Sequence, residues 1–236
     1  MDQFININIG RLEEFKASLK LEYSILGVHY LDDISSQSYE IHQDTVCTAL
    51  GRVFNEDGTL VLNLKQCGQL CDGGDYFMKF KEIDDADAIK VYVDDEHIFQ
   101  DVGVCQKYLS LLPRMPDSLK GKYVLIKSLE ADDLPLVIIF LVNPAQANRI
   151  IGLVNYKDYG AIQFFPNQPT CVSLFAPLVT KTPHINFIDY YDRYHQGLIR
   201  GEFIWPETNL LISLSINQFR EVLDNFGKSP QGGFKR

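Results

Sequence analysis

The sequence predicts an α+β fold, a single compact unit in which helices pack on a mixed sheet. Three observations carry that expectation. The run LPLVIIFLV at 134–142 is apolar without interruption beyond Pro135 and rich in β-branched residues, as a strand buried on both faces must be. Two segments open with a capping box directly after such a run, Asn143-Pro144-Ala145-Gln146 and Ser215-Ile216-Asn217-Gln218. No Pro/Ser/Gly-rich linker divides the 236 residues, so one domain is expected over 1–226, with a flexible tail over 227–236.

Taken in order, Leu12, Phe15, Leu19 and Leu26 fall near helical spacing and predict an amphipathic helix over 10–24, ending near Gly27. A short strand follows at 27–31. Asp44 is placed to cap a helix over 45–54, with Val46, Leu50 and Val53 on one face and Cys47 one step away. The turn at 55–58 leads into TLVLNL, 59–64, which alternates as a half-buried strand does. The acidic stretch from Glu82 to Asp101 reads as solvated loops flanking a strand. It is not a calcium loop, because the position six from Asp85, which needs glycine, is Lys90. KYVLIKSL at 122–129 reads as another strand. The buried strand 134–142 runs into a helix over 144–154, whose Ala147, Ile150, Ile151 and Val154 share one face. TNLLISL at 208–214 precedes the second capped helix, in which Phe219, Val222, Leu223 and Phe226 repeat that spacing before Gly227.

The order of these elements suggests a repeat of two strand-helix-strand-helix halves, 27–80 and 134–226. Strand 27–31, helix 45–54, strand 59–64 and a segment opening at Cys71 would correspond to strand 134–142, helix 144–154, strand 161–165 and a segment opening at Cys171. Thr170 would cap the last helix, and a strand at 184–189 would follow. In that arrangement Cys71 and Cys171 both sit at helix N-termini, where the backbone dipole favours thiolate. They would share one cleft with Arg193 close by.

Net charge is −9 and the acidity is concentrated in the first half, so neither nucleic acid nor an anionic membrane is an expected partner. No apolar run approaches the roughly 20 residues of a membrane span. The first residues lack a basic start followed by an apolar stretch, which points to a cytoplasmic protein whose five cysteines are thiols or ligands rather than a disulfide framework. Phosphate-loop, dinucleotide-fingerprint, zincin and nucleophile-elbow motifs are absent.

The residues most able to carry chemistry lie between Cys67 and Phe80. Cys67 and Cys71 are four apart, and Gly73-Gly74 can adopt backbone conformations that other residues resist, opening a helix over Tyr76–Phe80 whose amides would attract an anion. A tight turn holding inert buried cysteines is the plainer reading. The histidines His29, His42, His97, His184 and His195 form no spaced pair. In Asp189–His195, Arg193 could grip a carboxylate or phosphate while the tyrosines stack on a flat ligand; pairing of Arg193 with Asp192 is the structural alternative.

Together these segments resemble a known family. Cys47-Thr48-Ala49-Leu50, Cys71-Asp72-Gly73-Gly74, the run Pro135–Phe140 with Asn143–Ala147, then Cys171, Arg193 and the final strand and helix at 208–226 are similar to the uncharacterised ArCR family, over about residues 20–226. The matching positions are Cys47, Cys71, Gly73, Gly74, Asn143, Pro144, Gln146, Cys171 and Arg193; Cys67 and Cys105 are outside the pattern. The stretch after Cys171 departs from the family's glycine-rich version. The resemblance implies a fold and no established activity or cofactor. Three functional readings remain open at this point. The first is a small anionic ligand or cofactor bound near Cys71, Gly73, Gly74, Cys171 and Arg193. The second is a metal or iron–sulfur centre on Cys47, Cys71 and Cys171. The third is a non-catalytic structural protein that assembles as a homo-oligomer.

Overall fold

A seven-stranded sheet organises the chain, in the order β2-β3-β4-β1-β5-β7-β6. The computed structural model describes residues 9–35, 39, 41–42, 45–56, 58–63, 71–130, 133–160, 162, 164–165, 168–195 and 205–232. The strands are β1 (Leu26–Leu31), β2 (Ile41–His42), β3 (Thr59–Asn63), β4 (Tyr123–Ser128), β5 (Val137–Val142), β6 (His184–Asn186) and β7 (Leu210–Ser215). Only β2 and β3 run parallel; every other pairing is antiparallel, so the sheet is mixed as expected. All six residues of β5 are buried, because both faces of the sheet are covered.

The alternation of β5 sorts the core into two layers. Ile138, Phe140 and Val142 face a layer of three helices, α1 (Ile9–Leu19), α6 (Pro144–Val154) and α8 (Ile216–Phe226). Phe15 meets Phe140, Phe219 and Phe226 there, edge-on or tilted, with centroids about 6 Å apart. Val137, Ile139 and Leu141 face the opposite layer. It holds α2 (Val46–Glu56), α3 (Asp72–Phe77), α4 (Asp85–Lys90), α5 (Val102–Leu111), the 3₁₀ turn Thr170–Leu174 and α7 (Ala176–Thr180). Among the described residues no helix is long and apolar enough to cross a membrane.

Both capping boxes form. The Asn143 side chain accepts the Gln146 amide at 3.0 Å while Gln146 accepts the Asn143 amide at 3.0 Å, and Ser215 and Gln218 exchange the same pair of bonds. Gln146 does more: its side-chain amide donates to the carbonyls of Leu19 and Lys20, closing the end of α1. That helix stops at Lys20, which takes a left-handed φ of 53°, seven residues before Gly27. Asp44 lies outside the described residues, and the hydroxyl of Thr45 accepts the Thr48 amide at the start of α2.

Three expectations are corrected. The acidic stretch is helical: Asp84 caps α4 by accepting the Asp87 amide, and the chain continues into a π turn, Val91–Asp95. Isolated alternation in a stretch this acidic is a weak strand signal, and the cap decides the outcome. The chain from Gly227 does not fray at once, since Pro230–Gly232 form a 3₁₀ turn whose carbonyls accept bonds from Ser18 and Arg149; residues 233–236 lie outside the described set. The repeat of halves 27–80 and 134–226 does not hold. Ile162, Phe164 and Phe165 are not in a strand, Ala161 and Gln163 lie outside the described residues, and α2 and α6 occupy opposite faces of the sheet.

Candidate functional site

Two cysteines far apart in sequence meet without a repeat. Cys71 immediately precedes α3, and Cys171 lies in the turn Thr170–Leu174, which packs against α3 and α2. At Gly73 the direction of a side chain would point to Pro169, the Tyr92 hydroxyl and the Cys171 sulfur, at 3.5, 3.5 and 3.8 Å from a Cβ. Gly74 is packed far closer, since a Cβ there would stand 2.5 Å from the Phe80 ring and 2.9 Å from the Cys71 sulfur. Both glycines are helical, so neither is needed for an unusual backbone; Gly74 is needed for close approach, whereas a Cβ at Gly73 would make ordinary contacts.

Cys47, in the first turn of α2, completes the group. Its thiol lies 3.2 Å from the Thr45 hydroxyl and bonds the Asp192 carboxylate. Asp192 also accepts the Thr170 amide at 2.7 Å, and its own amide donates to Asp189 at 2.7 Å. One carboxylate thus ties α2 to the 170–174 turn and to the segment after β6. From β6, Asn186 donates to the carbonyls of Gln168 and Pro169 and to the Ser173 hydroxyl, which holds that turn against the sheet edge. Tyr30 on β1 donates to Leu174 O at 3.0 Å from the other side.

The electrostatics reverse the expectation of thiolates. The amides of Val46 and Gly74 point at the Cys71 sulfur and favour its charged form, yet burial outweighs them and pushes its pKa up to about 12. Burial likewise raises Cys47 and Cys171 well above the ordinary thiol range, reinforced on each by the Asp192 carboxylate. The helix-end position expected to attract an anionic ligand is filled by the protein's own Asp192, and Thr170 serves as an amide donor instead of a cap.

Beside the thiols lies a second set of groups that sequence reasoning missed. The π turn Val91–Asp95 carries Tyr92 inward, where its ring packs edge-on to Phe99 and Tyr108, with centroids 6.4 and 5.9 Å apart. Glu96 follows it and accepts a bond from Tyr191 in a second π turn, Tyr191–His195. Burial, then the charge of Asp72, push Glu96 up to about 7, and burial with the Asp192 charge holds Asp189 well above the usual carboxylate range. The hydroxyls of Tyr92 and Thr170 are buried and have no hydrogen-bond partner among the described residues.

Other predicted site residues have structural work. Arg193 is buried and donates to the carbonyls of Phe187 at 3.0 Å, Asn209 at 2.9 Å and Pro206. It is neither paired with Asp192 nor free to grip a ligand with those donors; it anchors the chain after β6 to the approach of β7. Asn143, Pro144 and Gln146 lie on the opposite helical layer. Cys105 is buried in α5, and Cys67 lies outside the described residues. Cys47, Cys71 and Cys171 are free thiols close enough that Cys71 acts on both of the others. Among the described residues, no group of three or more His, Cys, Asp or Glu side chains is disposed to hold a metal ion, so Cys47, Cys71 and Cys171 do not form one.

One protein family matches residues 14–225, described as uncharacterised ArCR. No curated protein and no solved structure gives a significant match.

Proposed function

The chain belongs to the uncharacterised ArCR family, domain of unknown function 169; we propose that it binds a small molecule where α2, α3, the 170–174 turn and the two π turns converge. The observation that carries this reading is the pair of buried hydroxyls, Tyr92 and Thr170, with no partner among the described residues and with Gly73 and Cys171 alongside. An unpaired buried hydroxyl costs about 1–3 kcal/mol, so a molecule that hydrogen-bonds both would recover that cost. The starts of α2 and α3 and the flanking aromatics supply a mostly apolar setting with a few polar groups. The charged groups acting on the thiols are carboxylates, which favours a neutral or cationic ligand over the anion expected from the sequence. Free thiols suit a reducing compartment, and the cytoplasm is the proposed location.

Native mass spectrometry of gently purified protein tests the reading. The wild type should carry a non-covalent extra mass that is lost on denaturation. Gly73→Leu, whose side chain would run into Pro169, Tyr92 and Cys171, should lose it, and Tyr92→Phe should weaken it while keeping the ring. Gly58→Leu, at a position with nothing within 4 Å, should retain it. Equal retention in Gly73→Leu and Gly58→Leu would place the ligand elsewhere, and bare wild-type protein would refute the reading.

A further inference from the structure

We infer that Gln168 guards the open edge of β6, and that without its side-chain amide this edge pairs with β6 of a second copy of the chain. The guard does not depend on the ligand reading above. β6 ends the sheet, so one side of His184–Asn186 has no neighbouring strand. An open edge presents unpaired N–H and C=O groups that template pairing with another chain, and charged side chains are a common protection. Here that protection is missing, because Thr182 to Ile188 includes no Lys, Arg, Asp or Glu. Shortness and Pro183, which has no N–H to offer, limit the edge without closing it.

What closes it is Gln168. A carbonyl directed at β7 is taken by a β7 amide. That of Ile185 accepts instead from the Gln168 side-chain amide, at 3.2 Å. It therefore faces away from β7, and Gln168 stands where an incoming strand would place its N–H. The guard is itself held by the strand it covers: Asn186 donates to the main-chain carbonyls of Gln168 and Pro169 at 3.3 and 3.2 Å. Gln168 is buried and its Oε1 has no partner among the described residues, so its amide nitrogen is the end that bonds. Phe164, four residues before Gln168, and Phe187, directly after β6, pack their rings 5.2 Å apart, each about half exposed.

A second copy is the partner that fits, because the edge is complementary to itself. In an antiparallel pair centred on Ile185 the two copies exchange both Ile185 N–H···O=C bonds, and His184 of each faces Asn186 of the other. No like charges meet along this line, although the chain as a whole carries −9. Displacing one side-chain bond to a carbonyl separates guarded from unguarded association by about tenfold.

Sedimentation velocity across about a hundredfold range of concentration tests the guard in the wild type, in Gln168→Leu, which keeps the bulk, and in Gln168→Ser, which removes it. Near-UV circular dichroism identifies the variants that fold. A folded variant should associate at least about tenfold more tightly than the wild type. Amide hydrogen exchange in the associated species should slow over 184–186 and stay unchanged in α1, α6 and α8. Equal sedimentation of the wild type and the folded variants overturns the inference, as does association without protection at 184–186. Failure of both variants to fold would show that the amide is needed to build the edge and not to guard it, and overturns the inference too.

Discussion

Glu96 makes a prediction about stability that needs no ligand. In the unfolded chain its carboxyl has an ordinary pKa of 4.5, and in the folded protein it is pushed up to about 7. Between those values the native state holds a proton that the unfolded chain has released. The folded state binds more protons, so stability falls as pH rises through this window and is level above it. The full gap corresponds to about 3 kcal/mol, and because Glu96 is half-exposed, solvent screening reduces the expected effect to about 1–2 kcal/mol. His184 acts in the opposite sense. It is buried on β6 with its Nε2 unpartnered among the described residues, and burial pulls it from 6.5 to about 4. Between those values the unfolded chain binds a proton that the native state refuses, so stability rises with pH, by up to about 3 kcal/mol. The two slopes overlap and oppose, which hides both in the wild type. Urea unfolding of wild type and Glu96→Gln from about pH 5 to about pH 8 separates them. The wild type's advantage over the variant should shrink by about 1–2 kcal/mol across that range. Parallel curves for the two proteins would show that Glu96 is not held protonated, and an advantage growing with pH would reverse the sign of the reasoning.

Asn143→Ala should lower unfolding free energy by about 1 kcal/mol in urea titration without changing ligand retention, because the box it forms with Gln146 lies in the helical layer away from the thiols. Arg193→Lys should cost about 2 kcal/mol or more, since one ammonium cannot serve the carbonyls of Phe187, Pro206 and Asn209 together; a neutral result in the same assay would contradict its anchoring role. Thiol labelling near neutral pH should be slow in the folded protein, Cys71 included, and should reach five per chain on unfolding; rapid native labelling of Cys71 would show a thiolate that burial does not permit.

Elements whose signals are local are legible in the sequence. The buried strand over Val137–Val142 and the helices after Asn143 and Ser215 announce themselves because hydrophobic runs and capping boxes act within a few residues. Cys71, Gly73 and Cys171 are neighbours because the turn holding Cys171 is pinned by Asn186 at the sheet edge, not because two halves repeat. The protonation of the thiols is not legible, since a helix-end position is read from local sequence whereas burial and the arrival of Asp192 depend on the tertiary fold. Glu96 is hidden in the same way, inside an acidic stretch that reads as solvent-facing.

The two π turns explain why the groups of the proposed site gather on one face of the sheet. A π turn closes its ring five residues on, as the Glu96 amide does on the Val91 carbonyl at 2.8 Å. The extra residue rotates the next side chains relative to a continuing α-helix. After α4 it lets Tyr92 point into the core while Glu96 remains at the rim; after β6 it lets Tyr191 reach Glu96 while Asp192 turns to Cys47 and Thr170. Such turns sacrifice regular helical hydrogen bonding, and they persist where the surrounding structure holds them. Here the outer supports are named: Arg193 fixes the second turn through three backbone carbonyls, and the Tyr92–Phe99–Tyr108 cluster fixes the first. The opposite layer, closed by Gln146 and Arg149 on the end of α1, carries no comparable irregularity among its described helices. The proposed site and the layer closed by the capping boxes therefore lie on opposite faces of one sheet. Substitutions in the α1–α6–α8 layer should change unfolding alone, whereas substitutions in the π turns should change ligand retention and the pH profile together.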